Sequence, residues 1–135
     1  MIADDELGEK RENFQIPLPE EYLEAFSEID ADNNQELIVV EDENRTIVGT
    51  LQLSFLRYLT YRGGVRAQIE AVRIKKDFRG IGLGRKMFDW AIHRAKEKNA
   101  HLIQLTTDKK RPDALKFYLQ LGFIPSHEGM KMHLL

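Results

Sequence analysis

The order of local patterns predicts a mixed α+β domain. Three observations predict it. Apolar residues first recur at helical spacing and then, from about residue 37, at the two-residue spacing of strands. A glycine-rich turn, residues 79–84, joins a strand-like run to a strongly helical one, and a short apolar run follows, which is the pattern of a βαβ crossover. The chain has 135 residues, 42% hydrophobic and 31% charged, which suits one core and a single domain over 1–135.

The elements follow in order. Residues 4–14 read as a polar helix with Leu7, Arg11 and Phe14 on one side, closed by Pro17 and Pro19. Residues 20–29 read as an amphipathic helix whose stripe is Tyr22, Leu23, Phe26 and Ile29. Residues 37–40 and 46–56 form a hairpin about the turn Asp42-Glu43-Asn44-Arg45. Alternation puts Val48, Thr50, Gln52 and Ser54 on one face of its second strand. Ile47, Gly49, Leu51, Leu53 and Phe55 take the other.

Arg62-Gly63-Gly64 turns the chain into a third strand, 65–75, where alternation groups Gln68, Glu70 and Val72 on one face. A helix over 83–98, with Leu83, Met87, Ala91 and Ala95 in its stripe, ends near Asn99. Then come a strand (101–107), a helix (114–121) with Pro112 at its start and Gly122 after its end, and two last strands, 123–125 and 130–135.

Composition excludes several chemistries. Without cysteine there is no disulfide, zinc–thiolate site or Cys nucleophile, and the spacing of the four histidines suggests no metal site. A net charge of −2 gives no reason to expect nucleic acid as a partner. No apolar run reaches membrane-spanning length, and the acidic start lacks the pattern of a signal peptide, so a cytoplasmic location is expected.

The glycines carry the functional signal. Glycine removes the side chain where a backbone must approach a ligand closely, and the following helix aims unpaired N–H groups at that turn. Such an arrangement favours phosphate or pyrophosphate, and Arg79, Arg85 and Lys86 add positive charge. The G-x-G-x-G spacing matches neither a dinucleotide fingerprint nor a P-loop.

The run Ile69-Glu70-Ala71-Val72-Arg73-Ile74-Lys75-Lys76-Asp77-Phe78-Arg79-Gly80-Ile81-Gly82-Leu83-Gly84 resembles the acetyl-CoA-binding segment of the GNAT acyltransferase superfamily. Ala114-Leu115-Lys116-Phe117-Tyr118-Leu119-Gln120-Leu121-Gly122-Phe123 resembles that family's later A-x-x-F-Y-x-x-x-G-F segment, and the likeness extends over roughly residues 37–135. It implies a mostly antiparallel sheet with one parallel crossover, layered between helices. Backbone groups of Val72, Arg73 and Ile74 would pair with the pantetheine arm, as an added strand pairs with an edge. N–H groups of Arg79, Gly80, Ile81, Gly82, Leu83 and Gly84 would hold the pyrophosphate, with charge from Arg79 and Arg85. The resemblance further implies a splay between the third strand and strand 101–107, where the cofactor enters the sheet.

It also singles out Tyr118 as general acid for the departing thiolate; the alternative is a core aromatic on a helix face. Glu70 is the candidate general base for the ammonium form of the acceptor, provided partial burial raises its pKa; otherwise it orients substrate or pairs with a cation such as Arg66 or Arg73. The implied activity is direct acetyl transfer from acetyl-CoA to the primary amine of a small molecule or peptide. A CoA-binding regulatory module is the alternative.

Two positions depart from the family pattern. Arg111 stands where an asparagine commonly contacts the cofactor, and would reach a CoA phosphate instead. The first strand of the family sheet has no counterpart before residue 20, so the neighbouring strand's edge is expected to meet solvent or the partner in a homodimer.

Overall fold

The computed structural model describes residues 6–135. Its elements are α1 (Glu6–Glu9), α2 (Glu20–Ala31), β1 (Gln35–Glu41), β2 (Ile47–Arg57), α3 (Thr60–Gly63), β3 (Val65–Ile74), α4 (Leu83–Glu97), β4 (Ala100–Leu105) and α5 (Pro112–Gln120), with a 3₁₀ turn at Lys76–Phe78. The four strands lie in chain order in one open sheet. β1–β2 and β2–β3 are antiparallel, and β3–β4, joined through α4, is parallel. The mixed α+β class and the single crossover are as expected. No strand precedes β1 among the described residues, so β1 forms one edge of the sheet.

One face of the sheet carries the core. Leu51, Leu53 and Phe55 of β2 and Ala67 and Ile69 of β3 pack against Met87, Phe88, Ala91 and Ala95 of α4. Phe117, Tyr118, Leu121 and Phe123 close that layer from α5 and the residues just after it. Arg94 of α4 grips Glu36 of β1 through Nη2–Oε1 at 2.7 Å and two Nε contacts, tying the helix to the far strand. The other face has no such cover. The α2 stripe is only partly used, with Leu23 54% and Phe26 53% exposed.

Several expectations are corrected. The helix expected over 4–14 is one turn, Glu6–Glu9, followed by irregular chain, and residues 4 and 5 lie outside the described residues. Gly8 lowers helix propensity there, and Phe14, at the far end of the expected stripe, is 72% exposed. In β2 the inward residue is Val48, not Ile47, because the β1–β2 register shifts between Val40 and Glu41. Such an irregularity inverts alternation beyond it. The two final strands are absent. Residues 123–135 form no ladder, since an extended segment becomes a strand only with a partner for its backbone groups.

Candidate active site

β3 changes character halfway along. Its first half is paired on both sides, Ala67 with Phe55 and Ile103, and Ile69 with Leu53 and Leu105. The β4 ladder stops at Ile69, whereas β3 runs on to Ile74 beside β2 alone. At the same place β3 bulges. Thr50 pairs with Arg73 and Gln52 with Glu70, so Leu51 faces both Ala71 and Val72. Ala71 takes the extra position with φ of 52°, a left-handed conformation that costs a non-glycine residue about 1–2 kcal/mol.

The bulge re-sorts the side chains. Ala67 and Ile69 are buried beneath α4, and past the extra residue Val72 and Ile74 pack on that same cluster. Glu70 therefore stands on the face opposite Val72, which corrects the expectation that they share one. It is exposed rather than partly buried, because no element covers that face there. Gln68 Nε2 donates to Glu70 Oε1 at 3.0 Å, and Gln104 Nε2 donates to Gln68 Oε1 at 2.8 Å. An amide chain thus runs from β4 to the carboxylate.

Beyond the bulge, the open stretch of β3 offers backbone groups. The Val72 carbonyl accepts from Arg73 Nη1 at 2.8 Å and the Ile74 carbonyl from Arg79 Nε at 2.9 Å. Two guanidinium groups thus occupy carbonyls that no strand takes.

The glycine turn follows at the end of β3. Gly80 (φ 75°) and Gly82 (φ 87°) adopt backbone conformations that L side chains rarely take. Gly84 serves close packing instead. A Cβ there would stand 3.3 Å from Ile74 Cδ1 and 3.3 Å from Phe117 Cζ, so the start of α4 lies against the end of β3 and against α5. Gly82 is the N-cap of α4 and gives no side-chain cap, and no acidic residue sits in the first turn. The turn's N–H groups and the positive end of the dipole therefore face an open cradle, since a Cβ on Gly80 or Gly82 would meet nothing within 4 Å. Arg79 and Arg85 flank it, exposed. This donor set fits a pyrophosphate.

Tyr118 projects from α5 into an aromatic cluster, 5.5 Å from Phe88, 5.7 Å from Phe117 and 6.2 Å from Phe123 between ring centroids. Burial pushes its phenol pKa above the ordinary tyrosine value, and the charges of Arg111 and Arg73 partly oppose that rise. It is both a packed aromatic and an acid held protonated at neutral pH. Arg111, at the N-cap of α5, lies within electrostatic reach of this phenol.

One part of the site was not foreseen. Tyr22 of α2 donates to Glu12 Oε2 at 2.9 Å and accepts from the Asn13 N–H at 2.9 Å. Burial acts to raise the Glu12 pKa, but hydrogen bonds from Arg11 and Tyr22 and the charges of Arg11 and Arg73 leave it lowered. The segment before α2 therefore brings a carboxylate to Arg73, beside the bulge. No local signal reports a charge interaction across some sixty residues; only the aromatic at the start of α2 hints at an anchor.

His127 and His133 are exposed, and no cluster of potential metal ligands occurs among the described residues. No described helix is long and apolar enough to cross a membrane. A cavity of about 170 Å³, lined by Asn33, Asn34, Phe55, Arg57, Val65 and Lys98, lies at the opposite end of β3 from the bulge. It is remote from Glu70 and from the glycine turn, so concavity alone does not mark the site.

Known proteins agree with this geometry. Residues 2–123 match the model of the acetyltransferase (GNAT) family. The aminoalkylphosphonate N-acetyltransferase of Salmonella typhimurium is 31% identical over 84 residues, which are 62% of this chain and 54% of that protein. An uncharacterised N-acetyltransferase of Pyropia yezoensis, ycf52, is 35% identical over 95 residues, 70% of this chain and 49% of its own. The chain thus spans about half the length of the curated relatives it matches. A Bacillus halodurans C-125 protein whose crystal structure is described as a transcriptional regulator is 58% identical, with a TM-score of 0.96 over 99% of this chain and 89% of that one. With the family model matched over most of its length, the chain belongs to the GNAT acetyltransferase family.

Proposed function

We propose that the protein transfers the acetyl group of acetyl-CoA directly to a primary amine of a small molecule or peptide. One observation carries this reading. The uncapped glycine turn at the start of α4 adjoins the stretch of β3 that β4 leaves open. A pyrophosphate on the turn, through the N–H groups of residues 79–84 and the charges of Arg79 and Arg85, places an amide-bearing arm beside Val72, Arg73 and Ile74. The guanidinium groups of Arg73 and Arg79 then give up the two carbonyls they hold. The thioester supplies an activated acyl carbon and a thiolate leaving group.

The chain's own groups orient the acceptor and protonate the leaving group. Glu70, exposed at the bulge and held by Gln68, orients the acceptor amine, whose proton passes to water; the partial burial expected of a general base is absent. Tyr118 donates its phenolic proton to the departing sulfur, and burial favours the protonated form it needs. Arg111 and Arg73 offset the charge left on the phenolate. No cysteine is present for a covalent relay through a thiol, in keeping with direct attack.

The test is thiol release from acetyl-CoA, screened over amines. Turnover with at least one amine, slowed in Tyr118→Phe at unchanged CoA affinity, is expected; a rate indifferent to that change removes Tyr118 from the chemistry. A second reading is a CoA-binding regulatory module with little catalysis, and the description of the Bacillus halodurans protein favours it. It predicts CoA binding without turnover on any amine. The protein is expected to act in the cytoplasm, with neither nucleic acid nor membrane as partner.

A further inference from the structure

A second charged group shares the uncovered face of the sheet with Glu70. Ala67 and Ile69 take the α4 face, so Arg66, Gln68 and Glu70 project from the other along the first half of β3. Arg66 is half-buried. Its guanidinium carbon lies 4.8 Å from the ring centroid of Tyr58 and 5.4 Å from that of Tyr61. Tyr61 in turn stacks on His101, with centroids 4.8 Å apart and ring planes 25° apart. Among the described residues no carboxylate or carbonyl takes an Arg66 nitrogen, and its Nε is buried without a partner. Leaving part of a guanidinium buried and unpaired costs free energy. The loop beside it is costly too. Tyr61 (φ 52°) and Arg62 (φ 58°) are successive residues in the left-handed region, and neither is glycine. Arg57 Nη1 donates to the Gly63 carbonyl at 2.7 Å, and the Gly64 N–H to the Tyr61 carbonyl at 3.1 Å, which hold the loop in that form. Backbone strain beside an unpaired cation is the mark of a site held ready for a ligand.

We propose that Arg66 sets acceptor specificity, and that the acceptor is an amine that also carries an anionic group, a carboxylate or a phosphate. The inference rests on the transferase reading. Four residues of strand set the Cα atoms of Arg66 and Glu70 about 13 Å apart. An acceptor lying along β3 therefore reaches both side chains when its two charges are roughly 10 Å apart. Its amine end meets Glu70, and its anionic end meets Arg66, whose planar fork suits the paired oxygens of a carboxylate or phosphate. Gln68 lies between, fixed by its hydrogen bonds to Glu70 and Gln104. Tyr58 and Tyr61 are positioning residues: their rings hold the guanidinium and keep water from part of it, so its charge is less screened. Glu70 repels the end that Arg66 attracts. The acceptor thus has one orientation, with its amine toward the bulge and the open half of β3.

Pairs of amines that differ by one anionic group test it on the full chain: triglycine against triglycinamide, and aminohexyl phosphate against aminohexanol. Three glycine residues span about 10 Å, and the two pairs distinguish a carboxylate from a phosphate. Thiol release from acetyl-CoA should show a KM at least about 10-fold lower for the anionic member of one pair, with kcat little changed. Arg66→Gln should erase that preference at unaltered CoA affinity, and Tyr61→Ala should weaken it, again through KM. Equal KM values within both pairs, or a preference that survives Arg66→Gln, overturn the proposal and leave the transferase reading intact. Turnover on no amine at all sinks the transferase reading instead. Calorimetry on the CoA-bound chain then decides the proposal: tighter binding of an anionic member, lost in Arg66→Gln, upholds it, and equal or absent binding overturns it. If Arg66→Gln does not fold, Arg66→Lys, which keeps the charge but not the fork, takes its place, and an unchanged preference overturns the proposal.

Discussion

The two halves of β3 share a strand and differ in what lies beside them. Over residues 65–69 β3 has neighbours on both sides, and Ala67 and Ile69 are 0% and 3% exposed. Over residues 70–74 β4 is gone, an extra residue is inserted, and two carbonyls are held by arginines. The first half is scaffold, because its backbone groups are already satisfied and its side chains are locked by packing. The second half is available to a ligand, because it has polar backbone to offer. A site built this way takes its precision from the rigid half.

The contrast can be broken by substitution, and the largest effect falls on the scaffold. Ile69→Ala should destabilise the protein by about 3 kcal/mol, because it opens a cavity under α4. Val72→Ala, beyond the bulge and only partly buried, should cost less than half as much. Equal costs in urea unfolding would mean that the two halves are packed alike.

Tyr118→Phe comes next. It should lower turnover by roughly 10²-fold, in the range for loss of a general acid, with little change in CoA affinity. In the native chain the proposed turnover should lose its acid as pH rises through a phenol pKa above the ordinary tyrosine value, because only the protonated form donates. That alkaline limb should be missing in the phenylalanine variant.

Ala71→Gly sharpens the contrast from the other side. Glycine takes φ of 52° without steric penalty but loses more backbone freedom on folding, so relief of about 1–2 kcal/mol of strain should leave a net gain of about 0.5–1 kcal/mol if the bulge is a strained fixture of the strand. A loss would mean that the bulge is not populated in solution.

The smallest effect lies far from the site. Arg94 holds the Glu36 carboxyl below the usual carboxylate range, by hydrogen bonding first and by charge, against the opposing pull of burial. A depressed folded-state pKa stabilises above the unfolded pKa, and that stability is lost as pH falls through the folded one. Glu36→Gln should therefore cost on the order of 0.5 kcal/mol near neutral pH, and the gap from the native chain should close in acid.

Much of this architecture is legible in the residues. The switch from helical to strand spacing, the turn at Asp42-Glu43-Asn44-Arg45 and the glycine turn before α4 are local signals, and each element they mark is present. The cradle is legible for the same reason: Gly80 and Gly82 sit where φ is positive, and Gly84 where a Cβ would press on Ile74 and Phe117.

What escapes is register. In Val65-Arg66-Ala67-Gln68-Ile69-Glu70-Ala71-Val72 the alternation holds to Ala71 and breaks at Val72, where a second apolar residue follows directly. That single break is the local trace of the bulge that parts Glu70 from Val72, but alanine gives no warning of a left-handed position, and the register itself is fixed by pairing with β2. The same holds for Val48 against Ile47. The Glu12–Tyr22 hydrogen bond, the pull of the Arg73 charge on Glu12 and the missing ladder of the last residues are likewise long-range facts. A pattern can say that residues 130–135 are fit to be a strand, but not which strand they join.

The central claim is that the ligand adds to the open half of β3 and sits on the glycine turn. Amide hydrogen exchange with and without CoA tests it most directly. The account predicts new protection at Val72 and Ile74, whose N–H groups face the open edge, and across residues 79–85, with Arg73 and the already paired residues 65–69 unchanged. Protection confined to the cavity lined by Asn33, Arg57 and Lys98, or none along the second half of β3, would contradict it.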